Sequence, residues 1–142
     1  MELIVNNLSK RFGEKLILDH LSFSMKSGDF MALVGSSGSG KSTILRLVAG
    51  LDQPSSGSIT VDGTPVSGPG PDRGMVFQKY SLYPWLNAAE NVAFGMRLQR
   101  MKAAEIKERT AYFLEVVGLS DSATKLPREL SGGMQQRVAI AR

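Results

Sequence analysis

Along the first third of the chain, apolar and polar positions alternate in short runs. Leu21-Ser-Phe-Ser-Met25 changes face at every residue, the period of a half-buried strand. Residues 3–5 and 15–18 also carry strand-forming composition, and Ser27-Gly-Asp29 is a turn. Phe30-Met-Ala-Leu-Val34 is continuously apolar, which predicts a strand buried on both faces of a parallel sheet. Residues 42–49 read as a helix with Gly50 as its C-terminal stop. Pro54-Ser-Ser-Gly57 leads into a strand over 58–61, and Asp62-Gly63 turns the chain again. The stiff Gly68-Pro-Gly-Pro-Asp72 precedes a short predicted strand over 74–77. From about Asn87 the period changes to that of helices. One is predicted over 88–98. Another, over 102–117, lines up Ile106, Thr110, Phe113, Leu114 and Val117 and is ended by Gly118. Residues 119–129, with Pro127, read as loop. A last helical pattern from Gly133 puts Met134, Val138 and Ala141 on one face and is still running at Arg142. Strands followed by helices predict an α/β domain in two parts, residues 1–86 with an antiparallel β portion and residues 87–142 as a helical subdomain.

Composition narrows this without redirecting it. The 142 residues suffice for one compact domain. No apolar run reaches the roughly 18 residues that span a bilayer, and the N-terminus lacks the pattern of a signal peptide. There is no cysteine, hence no disulfide framework and no thiolate metal site. The net charge of +4 comes from scattered basic residues with no run of five, so nothing here supports a nucleic-acid stripe.

The chemistry starts at Gly35-Ser-Ser-Gly-Ser-Gly-Lys-Ser-Thr43, which fits G-x-x-x-x-G-K-[ST] between a predicted strand and a predicted helix. Glycines without Cβ atoms let successive N–H groups of Gly35, Ser36, Ser37, Gly38, Ser39 and Gly40 converge on phosphate oxygens. The helix N-terminus adds partial positive charge. Lys41 brings a full charge to the β- and γ-phosphates, Ser42 can set its hydroxyl on Mg²⁺, and Thr43 supports the α-phosphate side. A second candidate is Leu130-Ser-Gly-Gly-Met-Gln-Gln-Arg137. Here Ser131, Gly132 and Gly133 open a helix whose first N–H groups are free for an anion. Alone, this pattern is more often a plain serine N-cap.

Taken in order, the phosphate loop, Val76-Phe-Gln78 and Leu130-Ser-Gly-Gly-Met-Gln135 resemble the ATP-binding subunits of ABC transporters, over the whole chain. The stretches Gly68-Pro-Gly-Pro-Asp-Arg-Gly-Met-Val-Phe-Gln78 and Tyr83-Pro-Trp-Leu-Asn-Ala-Ala-Glu-Asn-Val-Ala-Phe-Gly95 look like the nitrate, sulfonate and taurine importer class. The resemblance implies Mg-ATP as ligand. It makes Gly35 to Thr43 the Walker A loop and Gln78 the Q-loop glutamine, acting with Lys41 and Ser42 on one nucleotide and, with Ser42, on the metal. Phe12 falls on the adenine-stacking aromatic, where tyrosine is commoner. Ser131, Gly132, Gly133 and Gln135 fall on the signature, which closes on the nucleotide of a partner chain across a head-to-tail dimer. Lys41, Gln78 and Ser131 are the residues it casts as catalytic. It further implies transmembrane permease partners and a location at the cytoplasmic face of the membrane without insertion into it. The aromatic-rich patch at Tyr80, Leu82, Tyr83, Trp85 and Leu86 fits contact with the membrane subunit and ordinary packing between the two lobes equally well. His20 does not match the family's switch histidine and reads as structural or solvent-facing.

The family's apolar strand ending in aspartate and catalytic glutamate, and its switch histidine, do not occur in these residues. The expectation is therefore of a truncated chain that hydrolyses ATP poorly by itself, since loss of a general base alone costs ~10² to 10⁴ in rate. The unpaired strand over 30–34 would be an aggregation-prone edge. Two other readings remain at this point. One is a non-catalytic nucleotide-binding fragment. The other is a soluble ABC-type ATPase of DNA repair or translation, which the short 78-to-131 interval and the lack of heptads disfavour.

Overall fold

A computed structural model describes residues 1–77 and 81–142. The chain forms two compact units, Met1–Met75 and Val76–Arg142.

The first unit is an antiparallel sheet carrying one helix. Strands β1 (Glu2–Phe12), β2 (Lys15–Lys26), β3 (Ser56–Val61) and β4 (Thr64–Pro65) lie in the order β2-β1-β3-β4. The runs at 3–5, 15–18 and 21–25 are pieces of two long strands that pair from Glu2↔Lys26 to Phe12↔Lys15, with bulges near Leu8 and Lys10. Leu21, Phe23 and Met25 turn inward and Ser22 and Ser24 outward, as the alternation predicts. Helix α1 (Lys41–Val48) lays Ile44 and Leu47 on Val5, Leu8, Leu18 and Ile59. At its C-terminal end Arg46 holds Asp52 through two hydrogen bonds of 2.7 and 2.9 Å.

Two strand expectations fail. Residues 30–34 form no strand, and Phe30 and Val34 are each 93% exposed. Residues 74–77 form no strand either. A strand exists through the ladder it makes with a neighbour. Among the described residues no strand runs beside these segments, and continuous apolarity cannot supply one.

The second unit is helical: α2 (Ala88–Leu98), α3 (Ala103–Val116), two 3₁₀ turns (Ser120–Ser122 and Pro127–Glu129) and α4 (Gly132–Ala141). The predicted loop over 119–129 is thus partly ordered into turns. Helix α2 starts with a capping box, in which Asn87 Oδ1 accepts from Glu90 N at 2.8 Å and Glu90 Oε2 accepts from Asn87 N at 2.9 Å. The core joins Ala88, Val92, Leu114, Leu119, Leu130 and Val138, with Met134 and Ala141 packed against it. The face predicted for α4 is therefore the one that packs. On α3, Thr110 and Leu114 are buried, whereas Phe113 stands at the surface, edge-on to Tyr112.

Candidate functional site

The phosphate loop is a backbone cage at the start of α1. Gly38 and Gly40 have φ of 80° and 91°. A Cβ on Gly40 would also come within 2.7 Å of Leu18 Cδ2 and 3.2 Å of Ile17 Cγ2, so glycine is required there for conformation and for space. Gly40 is the N-cap of α1, and Ile44 N donates to its carbonyl at 2.9 Å. No side chain caps this helix start, and no acidic residue stands in its first turn. The first-turn N–H groups therefore remain available to an anion.

Lys41 folds back over the loop. Its Nζ donates to Gly35 O at 2.8 Å, to Ser36 O at 2.6 Å and to Ser39 Oγ at 3.3 Å. An ammonium has three donors, and all three are used. The charge thus already sits over the cage. The loop residues fit a polyphosphate: a cation, a helix N-terminus and glycines that permit close approach. Ser42, next along α1, offers a hydroxyl for Mg²⁺. No cluster of three or more acidic, histidine or cysteine side chains suited to a metal occurs among the described residues. A cation there would draw on the phosphates themselves for much of its coordination.

Phe12 ends β1 in the same unit. Its ring is 53% exposed, with Lys10 Nζ 4.9 Å from the centroid. The ring is thus partly open to solvent and carries a cation over one face. His20, in a bulge of β2 with φ of 46°, is exposed and hydrogen-bonded through Nδ1 to Asp19 at 2.6 Å. It is a surface residue, as expected from its position. Gln78 and Tyr80 lie outside the described residues.

The signature turn is built differently. Ser131 is the N-cap of α4, and its Oγ accepts from Met134 N at 3.3 Å, a long bond. The Ser131 hydroxyl proton stays free to donate, and the N–H groups of Gly132 and Gly133 have no partner within the helix. Gln135 N donates to Ser131 O at 2.9 Å, while the Gln135 side chain turns back to Pro127 O and Leu130 O at 2.9 and 3.0 Å. Leu130 anchors the turn from below, 5% exposed in the core. Downstream, Arg137 Nη1 donates to Val117 O at 2.7 Å, placing a cation at the C-terminal end of α3.

Residues 81–87 are also fastened by side chains. Buried Asn91 accepts from Tyr83 N at 2.8 Å and donates to Tyr83 O, Leu86 O and Asn87 O. Tyr83 packs on Phe94 at 4.4 Å between centroids, and Arg142 donates to Ser81 O at 2.8 Å. Trp85 is left 71% exposed. Sequence alone assigns Asn91, Pro127 and Arg137 no individual bracing role, although each lies in a stretch it names. Their signal is spacing alone, a polar residue four after an N-cap or a Pro eight before a Gln, and such spacing occurs in many helices.

Comparison with known proteins adds an independent line. A family model described as ABC transporter matches residues 18–142. The nitrate import ATP-binding protein NrtD of Synechocystis sp. is 51% identical over 146 aligned positions, covering 100% of this chain and 55% of that protein. The sulfate/thiosulfate import ATP-binding protein CysA of Mycobacterium tuberculosis is 46% identical, covering 99% and 41%. The taurine import ATP-binding protein TauB of Sinorhizobium fredii is 46% identical, covering 90% and 48%. The chain spans about half the length of the curated relatives it matches. Among solved structures, a dimeric ATP-binding cassette in a post-hydrolysis state, bound to ADP and Pi, superimposes with a TM-score of 0.85 at 34% identity, covering 98% of this chain and 67% of that one. A phosphate cage at one helix start, a serine–glycine turn at another and these matches together place the chain in the ABC transporter family.

Proposed function

We propose that this chain provides the nucleotide-binding half-sites of an ATP-binding subunit that powers an ABC importer. Mg-ATP is held by Gly35, Ser36, Ser37, Gly38, Ser39, Gly40, Lys41, Ser42 and Thr43, with Gln78 completing the site and Phe12 stacking on the base. Ser131, Gly132 and Gly133 act on the γ-phosphate carried by a second copy, so that a homodimer holds two composite sites. A helix N-terminus aimed at the phosphate needs no reorganisation as charge shifts during hydrolysis. The functional division proposed is residues 1–86 for the phosphate side and 87–142 for the signature side.

The observation that carries this reading is that two helix starts on one chain have glycines at or beside the cap and first-turn N–H groups with no partner among the described residues, one beneath an ammonium and the other beside a serine hydroxyl. Importer-type relatives named for nitrate, sulfate/thiosulfate and taurine support a small oxyanion or sulfonate as cargo. No described helix is long and apolar enough to cross a membrane. By analogy with the import ATP-binding relatives, translocation is assigned to permease partners, docked at the aromatic patch around Tyr83 and Trp85 on the cytoplasmic face. Relatives named for import do not favour a role in DNA repair or translation.

The test is ATP-driven dimerisation of the full-length protein, followed by light scattering with Mg-ATP. Ser131→Arg should retain ATP binding and lose dimer closure, because a bulky cation fills the place of the partner's phosphate. Normal closure by that variant would overturn the composite site.

A further inference from the structure

Gln135 lies within the signature motif, yet its amide nitrogen is taken up by the main chain just before the helix start. Its single NH₂ group carries two hydrogens. Both go to backbone carbonyls, Pro127 O at 2.9 Å and Leu130 O at 3.0 Å. Because both partners are acceptors, the orientation of the amide is chemically fixed: the nitrogen must face them. No donor is left on that nitrogen for a phosphate.

The two carbonyls are well placed to matter. Pro127 O also accepts from Leu130 N at 3.1 Å, closing the 3₁₀ turn of Pro127–Glu129. The opening of that turn is held separately, by Leu126 N donating to Glu129 Oε2 at 2.7 Å. Leu130 O belongs to the peptide immediately before Ser131, so its direction sets the direction of Ser131. The bond made by the Ser131 side chain, at 3.3 Å to Met134 N, is too long to define the turn alone, and Ser131 O is held separately by Gln135 N at 2.9 Å. The Gln135 amide therefore ties together the end of the 3₁₀ turn, the extended residue Leu130 and the first turn of α4.

We infer that Gln135 is a positioning residue that fixes the Leu130–Ser131 peptide, and so aims the Ser131 hydroxyl and the Gly132 and Gly133 N–H groups, rather than a nucleotide contact. The inference rests on the composite-site reading above. It replaces the direct ligand role that the motif suggests for Gln135.

The experiment compares full-length wild type with Gln135→Met, which keeps length and helix propensity but has no donor, and Gln135→Lys, which restores donors. ATP-driven dimerisation, kcat, KM for ATP and Tm are measured at low and high salt. In Gln135→Met, kcat and closure should fall by about tenfold to a hundredfold, the scale of a misaimed group. KM should change less than threefold and Tm by only a few degrees. Gln135→Lys should return most of the activity without exceeding wild type and with the wild-type salt dependence. Unchanged kcat in Gln135→Met, or a loss that simply follows Tm, overturns the positioning role. Closure by Gln135→Lys that exceeds wild type at low salt and collapses at high salt overturns it in favour of direct phosphate contact. A wild type that neither closes nor turns over with ATP overturns the composite site itself, and this inference with it.

Discussion

The phosphate loop and the signature turn both offer N–H groups at a helix start, but they hold their shapes by opposite means. Around Gly40 the geometry comes from the backbone: two left-handed glycines, no side-chain cap and a lysine bonded to the loop's own carbonyls. Around Ser131 it comes from side chains reaching back to the main chain, Gln135 to Pro127 and Leu130, Arg137 to Val117, with Leu130 buried beneath. A site made of backbone is constrained by what cannot be added to it. A site made of braces is constrained by what cannot be removed.

That contrast orders a series of substitutions. The largest loss is expected from adding one methyl group in the first unit. Gly40→Ala forces a left-handed alanine against Leu18 and should cost about 2–5 kcal/mol in urea unfolding followed by circular dichroism. A loss below 1 kcal/mol would break the comparison at its backbone side. Next comes removal of a brace in the second unit. Asn91→Leu leaves Tyr83 N without its acceptor and Leu86 O without its donor, while Tyr83 O and Asn87 O keep their backbone bonds, and should cost about 2–4 kcal/mol. Trp85, the chain's single tryptophan, reports on that segment through its fluorescence. Ser131→Ala should cost only about 0.5–1 kcal/mol in thermal unfolding, because the cap bond is long and Gln135 still holds the turn. A cost of 2 kcal/mol or more would transfer the structural role from Gln135 to Ser131.

The smallest effect concerns a side-chain brace in the first unit, Arg46 with Asp52. The hydrogen bond from the Arg46 guanidinium holds the Asp52 carboxyl below its ordinary value of 3.8. A carboxylate with a lowered folded pKa adds stability above its unfolded pKa and loses it as pH falls through the folded one. The advantage of wild type over Asp52→Asn should thus be constant above about pH 5 and shrink below 3.8, as read from urea midpoints across that range. Arg46 is 44% exposed on its side chain, so solvent screens the pair and the difference should weaken further in salt.

What could be read from the residues divides along the same line. The loop before Lys41 and the helix after it were legible because Gly38 and Gly40 take positive φ values that glycine adopts without strain. Helices α2, α3 and α4 were legible because their apolar period is long, and Val138 and Met134 pack where that period puts them. The stretch over 30–34 was misread because a strand is a property of two segments, and Phe30 and Val34 have no ladder to join. For Gln135, motif membership names the residue without saying that its amide nitrogen faces Pro127 O and Leu130 O.

One consequence follows from the folded-back Lys41. Its three internal bonds mean that the hydrogen-bonding capacity of the ammonium is already filled by neutral oxygens of the loop. Binding a triphosphate is then an exchange, in which oxygens of the ligand replace Gly35 O, Ser36 O and Ser39 Oγ around one ammonium. The heat released on titration should accordingly be smaller than the number of new contacts implies. Release of the nucleotide should be eased in the same measure, since the lysine has bonds to return to as the phosphates leave.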